Sequence, residues 1–183
     1  MHRTRRALLA CLLAAVAASL GFALSGLPNV ELVTLVVFVS GFLLGPLFGA
    51  GVGAGAATAL SLFNPLGAAL PPLVAAQALG QGLTGLCGGI AGPALARVPA
   101  GVVARVAAGA TGFALTLFYD ILTNVGAYVT IADQKSIEGL VKFVAAGIVF
   151  VGIHIGWNTA LFAVALGAVL RALQRQREEL SAG

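Results

Sequence analysis

Long apolar runs alternate with tight clusters of arginine in this chain, and that alternation limits the fold more than any other feature. Eight of the ten basic residues sit in three places: Arg3, Arg5 and Arg6 before the first run, Arg97 and Arg105 around a central break, and Arg171, Arg175 and Arg177 after the last run. The other two are Lys135 and Lys142. Lys and Arg resist crossing a bilayer during insertion, so a one-sided bias of this size sets orientation as well as class. Six crossings put all three clusters on one side, whereas five leave a terminal cluster on the other. The expectation is an all-α integral membrane protein, a six-transmembrane-helix bundle with both termini cytoplasmic.

Composition agrees. Apolar residues make up 60% of the 183 residues and charged residues only 9%, against about 25% charged in soluble domains. A mean hydropathy of +1.04 leaves too little polar surface to cover a water-soluble globule. At roughly 20 residues per crossing, the length accommodates about six helices and no soluble domain. The whole chain, 1–183, therefore reads as a single transmembrane domain. The net charge of +4 is explained by topology. It gives no reason to expect a nucleic-acid partner.

The spans are expected over about 7–24, 30–44, 47–63, 73–95, 102–128 and 140–170, with Pro and Gly marking most of the breaks. Gly45-Pro46 separates the second and third. Asn64-Pro65 and Pro71-Pro72 bracket an uncharged external loop. The segment from Asp133 to Glu138 reads as a short external loop. The last span is long enough that it must tilt, bend or protrude. The arginine-rich start followed by Ala7–Leu24 also suits a signal peptide, but its apolar core is long and no small-x-small cleavage site follows. It reads as a retained helix. Leu8-Leu9-Ala10-Cys11 comes too early for a lipoprotein box. Cys11 and Cys87 fall in different spans and read as buried small residues rather than a disulfide or a metal knuckle.

Small residues recur at intervals of four. Ala10, Ala14 and Ala18 share a face of the first helix. Gly41, Gly45, Gly49 and Gly53 follow the same spacing, as do Gly85 and Gly89. Lipid supplies no hydrophobic drive between helices, so such faces associate by close backbone packing. For the glycines this predicts contacts inside the bundle. For the alanines, internal packing and an external dock for a partner helix are both open.

Polar side chains inside the spans carry the functional signal, since such residues in lipid face a cavity or one another. They are Gln77 and Gln81 on the fourth helix, Tyr119, Asp120 and Asn124 on the fifth, and His154, Trp157 and Asn158 on the sixth. Gln77 and Gln81, Asp120 and Asn124, and His154 and Asn158 are each four apart and so lie on one helix face. Three such stripes at similar depth are expected to line one pocket that opens outside and closes towards the cytoplasm. The alternative for any one of them is an interhelical hydrogen bond, such as Asp120 with His154. Tyr119 and Trp157 offer flat aromatic surface for a ring-bearing ligand. Glu31 stands at the external start of the second helix, where capping that helix is its simplest role. Cys87 lies too far towards the cytoplasmic half to be a natural ligand for a bound centre.

Several chemistries lack their residues. There is no phosphate-binding G-x-x-x-x-G-K-S/T, no H-E-x-x-H and no G-x-S-x-G. One Asp and one His inside the membrane are too few for a metal-dependent transferase. No catalytic residue, metal site or cofactor is expected. Six spans without an evident inverted repeat are few for a self-sufficient carrier.

Two stretches, Pro28-Asn29-Val30-Glu31-Leu32-Val33-Thr34-Leu35 and Ser40-Gly41-Phe42-Leu43-Leu44-Gly45-Pro46-Leu47-Phe48-Gly49, are followed by Asn64-Pro65-Leu66-Gly67. Further on come Ala76-Gln77-Ala78-Leu79-Gly80-Gln81-Gly82-Leu83-Thr84-Gly85 and Phe118-Tyr119-Asp120-Ile121-Leu122-Thr123-Asn124. Together they resemble an S component of an energy-coupling factor (ECF) transporter, over about Pro28 to Asn158. The resemblance implies a six-helix subunit of the bacterial cytoplasmic membrane that captures a vitamin or other micronutrient from outside. Its implied partners are a transmembrane coupling subunit and two ATPase subunits, whose ATP use topples the S component so that its site turns inward. The implied site lies on the outer halves of helices four to six. It carries over to Gln77, Gln81, Asp120, Asn124, His154 and Asn158. The implied dock for the coupling subunit is the Ala10, Ala14, Ala18 face. The substrate stays open among cobalamin, thiamine, riboflavin, folate, pantothenate and metal-bearing compounds. The competing readings are a structural or assembly protein, a small intramembrane hydrolase using Asp120 and His154, and an importer acting without ATPases.

Overall fold

A computed structural model describes residues 3–65 and 67–182, the stretch 177–182 by backbone alone. Leu66 of the Asn64–Gly67 motif and the side chain of Arg177 fall outside the described residues. The fold is all-helical, with 84% of the chain in helix. In chain order the elements are α1 (Arg3–Ala23), α2 (Val33–Leu44), α3 (Pro46–Leu62), α4 (Pro71–Arg97), α5 (Val102–Ile131), α6 (Ile137–Ala146), α7 (Ile148–Leu161), a π-helical turn (Phe162–Leu166) and α8 (Gly167–Ala182).

Among the described residues, four helices are long and apolar enough to cross a membrane: α1, α4, α5 and the continuous run Ile148–Gln176. Large apolar side chains such as Leu8, Leu47, Ile90, Val103 and Val164 are exposed around the outside. A water-soluble monomer does not present so much apolar surface. The chain has the features of a helical membrane protein. The remaining apolar helices, α2 and α3, are shorter. At 12 and 17 residues and 1.5 Å rise per residue they reach about 18 and 26 Å, against a hydrocarbon core of about 30 Å.

Three boundaries differ from expectation for physical reasons. Pro71 and Pro72 open α4 rather than ending a loop, because a proline in the first turn forfeits an N–H that has no helical partner there. The expected span 140–170 is not one helix. Gly147 stops α6, its N–H shared between Phe143 O at 3.3 Å and Val144 O at 3.1 Å, and α7 starts at the next residue. Finally, α6 begins at Ile137, inside the segment expected to be loop. There the Ser136 hydroxyl accepts from Gly139 N–H at 3.0 Å, and Glu138 pairs with Lys142 one turn on at 2.6 Å. This side-chain cap and ion pair start a helix where polarity alone suggested a turn.

The bundle is held by glycine. A methyl group added at Gly41 would collide with the backbone of Gly85 and Gly89, one at Gly85 with the backbone of Gly49, and one at Gly88 with Phe38. Here α2 and α3 meet α4 backbone to backbone, the internal contact expected of four-residue glycine spacing. Gly45 makes the tight step between α2 and α3 at φ 90°, a conformation that L side chains avoid. On one side of this seam, Phe38 and Phe42 pack with Phe162, Leu166 and Leu170, and Cys87 fills against them. On the other, Val37, Val52 and Ala56 pack with Ala17 of α1.

Ala18 is buried, while Ala10 and Ala14 are half-buried and packed on the Val37–Val52 cluster. The alanine face of α1 is therefore turned into the bundle. Its outward face carries Leu8, Leu12 and Val16.

Candidate functional site

The ends of α1, α3 and α5 and the starts of α2, α4 and α7 meet around a cavity of about 460 Å³. It lies at the end of the bundle opposite the α4–α5 turn with Arg97 and Arg105. Exposed loop residues, among them Ser25, Pro28, Asn64 and Pro65, form its mouth. Gln77, Gln81, Tyr119, Asp120, Asn124 and His154 all line it. The α4 and α5 stripes thus line it with both members, set by four-residue spacing on each helix, and the third stripe reaches it through His154 alone. Trp157 and Asn158 do not line the cavity. Both lie one turn beyond His154 on α7 and work from behind the cavity wall.

What they hold is Glu31. The Trp157 indole N–H donates to the Glu31 carbonyl at 2.7 Å, and the Asn158 amide donates to Glu31 Oε1 at 2.7 Å. The other carboxylate oxygen accepts from Thr34 N–H at 2.9 Å. The capping role expected of Glu31 is therefore present, but it accounts for only one oxygen. The rest of the side chain joins the α1–α2 connection to α7. Asn29 strengthens that tie by donating its amide to the Phe150 carbonyl at 2.9 Å. It does so from a left-handed backbone at φ 58°, which Asn tolerates better than most residues.

His154 stands between two carboxylates. Its Nδ1 is 2.7 Å from Asp120 Oδ1 and its Nε2 is 3.7 Å from Glu31 Oε1. The interhelical Asp120–His154 bond weighed from sequence is present, and it faces the cavity at the same time. Tyr119 sets its ring edge-on to the imidazole, with centroids 5.8 Å apart. With both nitrogens turned to carboxylates, His154 is not free to receive an acidic ligand group.

The α4 stripe is anchored too. Gln77 Oε1 accepts from the Ser61 hydroxyl, and Gln81 Nε2 donates to Thr34 Oγ1 at 3.1 Å. Among the described residues, Asn124 bonds only within its own helix, to the Asp120 carbonyl at 2.7 Å. Two cavity-lining acceptors, Asp120 Oδ2 and Gln81 Oε1, are buried without a protein hydrogen-bond partner among the described residues. Buried polar atoms are normally satisfied; these two belong to lining residues but are themselves shut off from the open cavity. Glu31, His154 and Asp120 are paired with one another rather than arranged about a common point. Among the described residues no group of three or more His, Cys, Asp or Glu is placed to hold a metal ion. Cys87 packs in the core, away from the cavity lining.

Sequence reasoning missed two members of the site and the reach of a third. Glu31 was seen but its reach to α7 was not. Thr34 and Ser61 were not singled out, because hydroxyls in membrane helices commonly bond their own backbone, as Ser61 also does to the Ala57 carbonyl at 2.6 Å. No protein-family model matches the chain, and no curated protein or solved structure matches it.

Proposed function

We propose that this protein captures a small micronutrient from outside the cell, as the S component of an ECF-type importer in a bacterial cytoplasmic membrane. In this reading α2 and α3 complete a six-span bundle with α1, α4, α5 and α7–α8. Both termini and the Arg97–Arg105 turn lie in the cytoplasm, and the cavity opens outward. The work is equilibrium binding followed by rigid-body movement, with no bond made or broken. A coupling subunit and two ATPases supply the movement. The coupling subunit would dock on α1, at the half-buried Ala10 and Ala14 or on the adjoining side of Leu8, Leu12 and Val16.

The observation that carries the reading is the convergence of polar side chains from three intramembrane helices, together with Glu31, on one cavity of about 460 Å³. That volume is within the range of about 300–1,000 Å³ typical of small-molecule sites. Unlike a purely structural hydrogen-bond network, it leaves acceptors unspent.

The test is uptake. Cells expressing this chain with an ECF coupling subunit and its ATPases should accumulate a labelled vitamin that control cells do not. Accumulation should vanish when the ATPases are inactivated. Uptake that persists without the energising subunits would favour a solitary importer, and no uptake of any candidate vitamin would contradict the reading.

A further inference from the structure

Through residue 132 the chain contains only two carboxylates, Glu31 and Asp120, and the fold brings both to the same cavity. Among the described residues, the one basic group lining it is His154. Its two nitrogens already face those carboxylates, at 2.7 Å from Asp120 and 3.7 Å from Glu31. Among the described residues no lysine or arginine lines the cavity. Acidic groups thus outnumber basic ones in the lining, two carboxyl groups to one imidazole. The groups that hold Glu31, the Thr34 N–H and the Asn158 amide, are neutral. They orient the carboxylate without cancelling its charge.

An excess charge away from water is costly unless something compensates it. A second observation says what kind of group does so. Asp120 is only 7% exposed, and its Oδ2 is buried without a protein partner among the described residues, as is Gln81 Oε1. Both oxygens are acceptors on lining side chains, and a donor in the cavity reaches them once the Asp120 carboxylate or the Gln81 amide turns towards it. The cavity therefore offers negative charge and acceptors, and it needs positive charge and donors. Tyr119, Phe22 and Phe150 add aromatic surface to the lining, and ring faces attract cations. A phosphate or carboxylate ligand would meet like charge from Glu31 and Asp120 and find no cationic side chain to receive it.

We infer that the solute taken by this cavity is an organic cation with N–H donors on a flat ring, such as an amidinium or a protonated amino-heterocycle. The charged end sits between Asp120 and Glu31, and the ring lies against Tyr119. The inference rests on the capture reading above and narrows it to one charge class.

Three probes of nearly equal shape test it on the purified full-length protein: benzamidine (cation), benzamide (neutral) and benzoate (anion), each titrated to millimolar levels while the melting temperature is followed. Benzamidine should raise Tm in a saturable way, with benzamide weaker and benzoate without effect. Glu31→Gln and Asp120→Asn should each weaken the apparent benzamidine affinity by roughly tenfold or more. If either variant fails to fold, the ranking of the three probes on the unaltered protein still decides the matter. Preferential stabilisation by benzoate or benzamide overturns the cation inference while leaving small-molecule capture standing. No stabilisation by benzamidine also overturns the inference. The capture reading is decided separately, by the uptake assay.

Discussion

Asp120 does two jobs with its two oxygens. Oδ1 fixes the His154 ring, and Oδ2 is buried without a protein partner among the described residues. Asp120→Ala removes both at once. Taking one partner from a buried ion pair costs about 3–5 kcal/mol, so a lowered Tm and loss of bound ligand are expected together. Asn124→Ala separates them. Among the described residues its amide bonds only the Asp120 carbonyl on the same helix, and losing one such bond costs about 1 kcal/mol. Ligand affinity should fall while Tm, followed by scanning calorimetry or intrinsic fluorescence, stays near that of the unaltered protein. An equal fall in both would mean that Asn124 acts through the fold. These residues were legible because four-residue spacing on a helix survives any tertiary arrangement. Glu31 was not. It lies in a connection, where sequence period says nothing about reach, and its partners Trp157 and Asn158 are more than a hundred residues away.

At the scale of elements, the α2–α3 pair and α4 meet through glycine, and the fit has no slack. Gly85→Val should destabilise the protein by about 3 kcal/mol or more, because the added carbons meet the backbone of Gly49, which cannot swing aside. Gly51→Ala on α3 is the matched control. Nothing lies within 4 Å of its added methyl, so it should leave stability unchanged or slightly improved through helix propensity. A similar Tm for both variants would contradict the seam. The glycine interval announced this packing in advance. The break at Gly147 did not announce itself. Leu140 to Leu170 is apolar with one lysine, and in lipid a helix needs no polar face, so the sequence offers no change of period where α6 ends. The π-helical turn is equally silent. It is visible only in the way Phe162, Leu166 and Leu170 come to be fully buried on one side. Ala10, Ala14 and Ala18 show the opposite limit: their spacing predicted a close-packed face correctly but not which neighbour would occupy it.

For the whole molecule, sorted arginines and long uncharged runs were enough to specify a helical membrane protein. They were less able to number its crossings, because α2 and α3 are short and joined by one residue. Orientation follows from charge and is directly testable. In a version with Cys11 and Cys87 replaced by Ser, Gln134→Cys should react with a membrane-impermeant maleimide in intact cells. Arg175→Cys should react only after permeabilisation. Labelling of both from outside would mean that the chain between them makes no net crossing of the membrane. The cavity places a stronger demand on the fold than topology does, since six helix ends must stay in register to keep Glu31, Asp120 and His154 together.

Native mass spectrometry of the protein released from detergent micelles tests that demand most directly. The unaltered chain should carry the added mass of one small molecule acquired from the host. A Glu31→Gln, Asp120→Asn double variant that folds and inserts normally should carry none. Bare protein in both cases, after growth in medium rich in vitamins, would contradict the claim that these polar faces form a site for a solute.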